Sequence, residues 1–338
     1  MARYSEDIEA YDRPKKRGTR PRTKDRPTYE GATEATVVTV DRGRFTIALT
    51  EELSDSRQIW AVKARPLGRK GVVVGDRVRV VGDLSGSDGT YGRIVEIQPR
   101  KSTLRRTVDD DDPVERVIIA NADQLVIVTA LADPEPRSGL IDRALVAAYD
   151  AGLAPLLCLT KADLKSPDEF LGAYASLGVP WVVTRRGGDL ADVREHLVGR
   201  TSVLLGHSGV GKSTLVNALV PGTDRETGVV NAVTGRGRHT STSALMLALP
   251  PEWGQDGWIV DTPGIRSFGL AHVNPDDLIT AFPDLDEATE ECPRGCTHGT
   301  DEPECGLDVA LEAGEIDADR VNSFRRLLAA RSTPDWQL

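Results

Sequence analysis

Gly206-His207-Ser208-Gly209-Val210-Gly211-Lys212-Ser213 fills every position of the pattern G-x-x-x-x-G-K-[ST]. An apolar stretch, Thr201 to Leu205, precedes it, and Thr214-Leu215-Val216-Asn217-Ala218-Leu219 after it reads as a helix, the setting of a P-loop. The residue types suit a triphosphate. Glycines let backbone N–H groups turn inward around phosphate, and the helix start adds the positive end of its dipole. Lys212 is then placed for the β- and γ-phosphates, and Ser213 for Mg²⁺ through its hydroxyl. The rest of the cradle is the run from Gly206 to Thr214. A glycine-rich turn without a ligand is the competing reading, and the match of all eight positions and both flanks disfavours it.

Upstream of this stretch the texture is strand, helix, strand. Gln124–Thr129 reads as a buried strand, Ile141–Tyr149 as a helix and Pro155–Leu159 as a second strand, the alternation of a parallel α/β sheet. The second strand ends in Thr160-Lys161-Ala162-Asp163. A carboxylate accepts two parallel hydrogen bonds, which matches the N1–H and N2 amino donors of guanine and finds no such pair on adenine. Asp163 is therefore the candidate base reader, with the Lys161 stem lying against the base. Thr184, at the end of the strand Trp181–Thr184, is a candidate for the loop that closes over it. Downstream, Thr234–Thr242 is a glycine-rich loop carrying hydroxyls and basic side chains. Beyond it Trp258-Ile259-Val260-Asp261 reads as a strand that delivers Asp261 to the metal side of the phosphates, and Gly264 offers a backbone N–H to the γ-phosphate.

The flanks have other compositions. Residues 1–31 are polar and basic, with eight basic groups against one acidic between residues 13 and 26, and read as a disordered tail serving solubility or RNA contact. From 32 to 99, five short strands separated by turn signals suggest a small closed barrel of the OB kind, with basic groups beside it in Arg65–Lys70 and Arg100–Arg106. Such a barrel takes oligonucleotides or proteins. Asp109–Asp112 is an acidic linker. Residues 271–319 carry fifteen acidic groups against the single Arg294, so the net charge of −10 hides a gradient along the chain. Within that region Cys292, Cys296, His298 and Cys305 supply three thiolates and an imidazole, a closed four-ligand set that suits one structural Zn²⁺. Cys158 lies within an apolar strand and reads as core. The spacing of Ile316, Val321, Phe324, Leu327 and Leu328 predicts a helix over 315–332. At 338 residues, two or three domains are expected. No apolar run reaches membrane-spanning length and no signal peptide is evident, so a cytoplasmic protein is expected.

The P-loop, Asp261-Thr262-Pro263-Gly264 and Thr160-Lys161-Ala162-Asp163 together resemble the G1, G3 and G4 elements of translation-factor-type GTPases, written here in the order G4, G1, G3. With a barrel in front and a Cys/His cluster behind, the chain resembles the RsgA (YjeQ) family of ribosome small-subunit-dependent GTPases over roughly residues 33–330. The resemblance implies an α/β fold: a circularly permuted P-loop GTPase domain at 113–270 in the order G4-G5-G1-G2-G3, an OB-fold domain before it at 32–99, and a small zinc-binding helical domain at 271–338. It places switch I at Gly235–Thr242 and makes Ser241, rather than Thr240, the second Mg²⁺ ligand. A hydrophobic residue, Ile265, follows D-x-P-G, so His239 is implied as the group that orients the attacking water, with Lys212 as its catalytic partner.

The activity implied is Mg²⁺-dependent GTP hydrolysis, slow alone and raised by the small (30S) ribosomal subunit, in late maturation of that subunit. The partners implied are the subunit, its rRNA and GTP or GDP, met by a monomer without membrane contact. One position departs from the family: G4 normally begins with asparagine, and here it is Thr160. Two rival readings are a nucleotide-gated RNA-binding assembly protein with incidental hydrolysis and a metabolite kinase, the latter opposed by Asp163. Because permutation leads the chain from switch II at about residue 270 straight into the C-terminal segment, nucleotide state is expected to move that segment.

Overall fold

Five strands near the start of the chain close on themselves: β1 (Thr33–Asp41), β2 (Arg44–Leu49), β3 (Ile59–Lys63), β4 (Arg77–Gly82) and β5 (Gly92–Ile97). They pair in the cyclic order β1-β2-β3-β5-β4-β1, so no barrel strand is left without a partner on either side. Period-two alternation explains the closure. Ala35, Val37, Phe45, Ile47, Ile59, Ala61, Val78, Val80 and Ile94 face one apolar interior, and the residues between them face outward. The computed structural model describes residues 29–41, 43–49, 59–68, 71–107, 115–222, 244–254, 256–262, 270 and 273–332.

The basic segment after the barrel is not a free edge. Thr103–Thr107 (β6) pairs antiparallel with Glu115–Ala120 (β7), and Ala120 N–H donates to the Val74 carbonyl at 3.0 Å, which ties this hairpin to the barrel. Arg100 clasps the fully buried Asp76 carboxylate through Nε and Nη2 at 2.6 and 2.8 Å, and Lys101 pairs with Asp123 at 2.5 Å. Arg100 and Lys101, two of the basic groups beside the barrel, are therefore engaged by carboxylates of the chain itself. The Asp109–Asp112 linker lies outside the described residues.

From β8 (Gln124–Ala130) onward the chain alternates: α1 (Ser138–Asp150), β9 (Ala154–Thr160), α2 (Asp168–Tyr174), β10 (Trp181–Val183), α3 (Ala191–Leu197), β11 (Thr201–Leu205) and α4 (Lys212–Leu219), then β12 (Leu245–Ala248) and β13 (Trp258–Asp261). Strands β10, β9, β8, β11 and β13 lie side by side and parallel, so all five end at one edge. β12 joins antiparallel to β13, and its Leu245 also pairs with Thr39 of β1, which makes barrel and central sheet one eleven-stranded sheet.

Alternate residues of each parallel strand serve the two faces of the sheet. Val126, Val128, Leu156, Cys158 and Leu204 pack on Val193 and Leu197 of α3 and Leu215, Val216 and Leu219 of α4. Leu125, Ile127, Leu157, Leu159 and Val203 pack on α1. The second face extends into the C-terminal elements α5 (Pro275–Ile279), α6 (Pro283–Glu287), α7 (Gly306–Ala313) and α8 (Ala318–Ser332). Phe282 meets Tyr149 of α1 and Phe324 of α8 edge to face at 5.2 and 5.4 Å, so the C-terminal part shares a core with the sheet. Cys158 is wholly buried, and burial pushes its thiol up to about 12.

Candidate functional site

The C-terminal ends of parallel strands in an open sheet are where loops gather ligands. Here the loops after β8, β9, β10 and β11 gather at one edge, beside the end of β13. The loop after β11 is the glycine-rich octapeptide. Gly209 and Gly211 hold φ of +87° and +92°, and a side chain at Gly206 would bring its Cβ within 2.5 Å of the Val128 carbonyl oxygen. Glycine is the residue that fits all three places. Val210 anchors the loop by burying its side chain completely among β8, α3 and α4, while Ser208 and Gly209 stay exposed. The His207 ring lies on the Ser208 carbonyl, Nδ1 to O 3.0 Å.

Lys212 opens α4. Its ammonium donates to the Thr262 carbonyl at 3.0 Å and pairs with the Asp261 carboxylate, also at 3.0 Å. Asp261 ends β13 and is 2% exposed, so a buried negative charge sits directly beside the lysine of the loop. The Thr262 hydroxyl donates to the Leu204 carbonyl at 2.9 Å, which fixes this strand end against β11.

Thr160, at the end of β9, reaches the same loop from the other side. Its hydroxyl lies 2.5 Å from the Val210 carbonyl oxygen and 3.3 Å from that of Thr129, and the residue is 5% exposed. Asp163 is three residues further on and exposed, while Lys161 adopts a left-handed φ of +58° and donates its ammonium to the Asp133 carbonyl. Ala162 N–H donates to the Thr184 carbonyl at 3.3 Å, and Thr184 N–H to the Leu159 carbonyl at 2.7 Å. The loop after β10 thus backs the loop after β9. The Thr160 to Val210 contact ties the loop that carries Asp163 to the loop that carries Lys212, three residues from one side of the contact and two from the other.

Asp133 and Pro134, which the motifs did not flag, belong to this edge. Pro134 Cδ lies 3.6 Å from where a Gly209 Cβ would stand, and the Asp133 carbonyl holds Lys161. The loop after a buried strand of a parallel sheet is a ligand-side loop by topology, and that was the available signal. Gly264, His239, Thr240, Ser241 and Ile265 lie outside the described residues. Ser213 and Thr214 occupy the first turn of α4, as their motif requires.

A second cluster stands apart from this edge. Cys292, Cys296, His298 and Cys305 bring their Sγ and imidazole nitrogen atoms within 4.8 Å of one another. His298 Nδ1 lies 3.7, 3.6 and 4.0 Å from the sulfurs of Cys292, Cys296 and Cys305. Tetrahedral bonds of about 2.3 Å to sulfur and about 2.0 Å to nitrogen require N···S separations of about 3.6 Å, so the donor set fits a single metal ion. The backbone supports it: Gly306 N–H points at Cys292 Sγ (3.1 Å) and His298 N–H at Cys296 Sγ (3.4 Å). A Cβ at Gly306 would fall 2.1 Å from the Ala288 carbonyl oxygen. Arg325 of α8 donates to the His298 carbonyl (3.2 Å) and to Asp308 (2.9 Å), which places a cation beside the thiolate set.

Comparison with known proteins agrees with this architecture. The model of the RsgA GTPase family matches residues 97–271. Small ribosomal subunit biogenesis GTPase RsgA of Pseudomonas aeruginosa is 42% identical over 261 residues, covering 75% of this chain and 74% of that protein. The protein of the same name from Azotobacter vinelandii is 40% identical over 274 residues, covering 78% and 76%. Among solved structures, YjeQ from Thermotoga maritima superposes with a TM-score of 0.63 at 28% identity, over 88% of this chain and 98% of that one. YloQ, described as a circularly permuted GTPase, superposes with a TM-score of 0.62 at 24% identity, over 91% and 98%, and supports the fold.

Proposed function

The chain belongs to the RsgA GTPase family, and from that premise we propose that it hydrolyses GTP in the maturation of the small ribosomal subunit. The observation that carries the assignment of its parts is the contact of Thr160 with Val210, because it joins the base-side loop to the phosphate-side loop across one strand edge. In this reading Asp163 accepts the N1–H and N2 protons of guanine. The backbone of residues 206–214 wraps the phosphates, and Lys212 exchanges the Asp261 carboxylate for the β- and γ-phosphates. Ser213 and Ser241 would hold Mg²⁺, with Asp261 beside it, and Gly264 would donate to the γ-phosphate. When bound, that ion neutralises charge developing on the phosphates. His239 orients the attacking water. Thr184 supports the loop over the base.

Catalysis of this kind is positioning and charge neutralisation, so a partner that adds to either raises the rate. The proposed partner is the small subunit through its rRNA, and ribosome stimulation is part of the proposal. The barrel supports it with one outward face. Trp60 and Tyr91 are 38% and 45% exposed beside Arg44 and Arg93, which pair with Val62 from either side. Aromatic rings among arginines suit unpaired bases. The proposed domains are the barrel at 32–99, the permuted GTPase at 113–270 and a C-terminal unit at 271–338 holding one structural Zn²⁺. The protein is proposed to work as a cytoplasmic monomer, and among the described residues no helix is long and apolar enough to cross a membrane.

GTP turnover measured with and without small subunits tests this reading. A rise of tenfold or more on adding subunits is expected, and an unchanged rate would favour an assembly protein with incidental hydrolysis.

A further inference from the structure

Thr160 stands where the family's pattern has asparagine, and its surroundings say what the exchange does. Guanine offers the N1–H and N2 donors on its Watson–Crick edge, and its major-groove edge carries two acceptors, N7 and O6. A side chain that reads N7 must donate to it. An asparagine amide has two protons and serves two acceptors at once, whereas a threonine hydroxyl has one. Both neighbours of the Thr160 hydroxyl are carbonyl oxygens, Val210 at 2.5 Å and Thr129 at 3.3 Å. Carbonyl oxygens only accept, so the single proton is committed to the protein backbone. The rest of the side chain also turns toward the P-loop: its Oγ1, Cβ and Cγ2 lie 3.6, 3.8 and 3.9 Å from the position of a Cβ on Gly211. At 5% exposure the residue is buried, and its hydroxyl is held by these backbone carbonyls. The neighbouring backbone donors of the base loop are engaged too, Ala162 N–H with Thr184 and Leu164 N–H with Lys161.

We infer that this protein does not read guanine N7: Thr160 ties the base loop to the P-loop, and base choice rests on the Watson–Crick edge alone. The inference rests on Asp163 being the base reader proposed above. It assigns Thr160 a positioning role and removes one contact that an asparagine would make.

The test is a competition titration of the full chain with GDP, 7-deaza-GDP, in which a carbon replaces N7, and ADP. The wild-type protein is expected to bind GDP and 7-deaza-GDP within about twofold of each other and both far more tightly than ADP. A neutral hydrogen bond is worth a factor of about five in affinity, so Thr160→Asn, which restores a donor, is expected to favour GDP over 7-deaza-GDP by about that factor. If the wild-type protein prefers GDP to ADP yet loses fivefold or more on 7-deaza-GDP, N7 is read and the inference is wrong while the Asp163 assignment stands. If GDP and ADP bind alike, the base-site assignment fails and this inference fails with it. The wild-type comparison decides without the variant.

Discussion

Lys212 and Asp261 form a pair that is nearly closed to water, with side chains 13% and 2% exposed. Removing one partner of such a pair leaves an uncompensated charge, a loss of about 3 kcal/mol. Lys212→Ala is therefore expected to lower stability by about that amount in chemical denaturation without nucleotide and to abolish nucleotide binding in the same protein. Lys212, Asp261 and Thr160 were legible in the sequence because each belongs to a local pattern next to a strand. Asp133 and Pro134 were not, since their part depends on which loop lies beside which. Nor were Asp142 and Arg143, which are 3% and 2% exposed on α1. Two adjacent charges on a helix read as solvated until α8 is known to arrive with Arg326, whose Nε lies 3.0 Å from Asp142, and with the Ala330 carbonyl, which accepts from Arg143 at 3.1 Å. Burial holds the Asp142 carboxyl above its ordinary range against the pull of Arg326.

At the scale of elements, the strands with strict alternation or a continuous apolar run were legible to within a residue or two. β6 was not, because Thr103-Leu104-Arg105-Arg106-Thr107 has one buried apolar side chain and a charge pattern that suggests a free basic segment. β12 has only four residues, and its identity comes from its neighbours. Leu245 pairs with Asp261 on one side and Thr39 on the other, a single row of backbone that crosses from the phosphate edge to the barrel. The joint between α6 and α8 offers a test by pH. Arg320 clasps Asp284 with two bonds of 2.9 Å, and this guanidinium holds the Asp284 carboxyl below its ordinary range. A folded pKa below the unfolded one means that the pair stabilises the protein above the unfolded carboxylate pKa and loses that contribution as pH falls through the folded value. Asp284 is half-exposed, so screening limits the effect to about 0.5 kcal/mol. Asp284→Asn should melt slightly below the wild-type protein at neutral pH and together with it below the carboxylate range.

Across the whole molecule, the barrel, the parallel sheet and the C-terminal helices are continuous, the first two through one sheet and the last two through one core. The three parts were legible as separate blocks of composition, but the joins were not, because each is made by residues far apart in sequence. The Cys292, Cys296, His298 and Cys305 cluster, whose donor atoms lie close enough to hold one metal ion, sits in the most acidic block. Chelation is expected to expose three reactive thiols, those of Cys292, Cys296 and Cys305. The fourth, Cys158, should react only on unfolding, since burial raises its pKa to about 12. Thiol titration before and after denaturant checks both numbers.

In the proposed site, loops from separated parts of the chain grip one guanine nucleotide, its base at Asp163 and its phosphates at Lys212. Xanthine carries a carbonyl where guanine carries its N2 amino group, so exchanging the carboxylate of Asp163 for an amide should exchange the preferred base. Affinities of GDP and XDP for the wild-type protein and Asp163→Asn measure this directly. The wild-type protein is expected to prefer GDP and the variant XDP, each by at least tenfold. A variant that keeps its preference for GDP would contradict the proposed site.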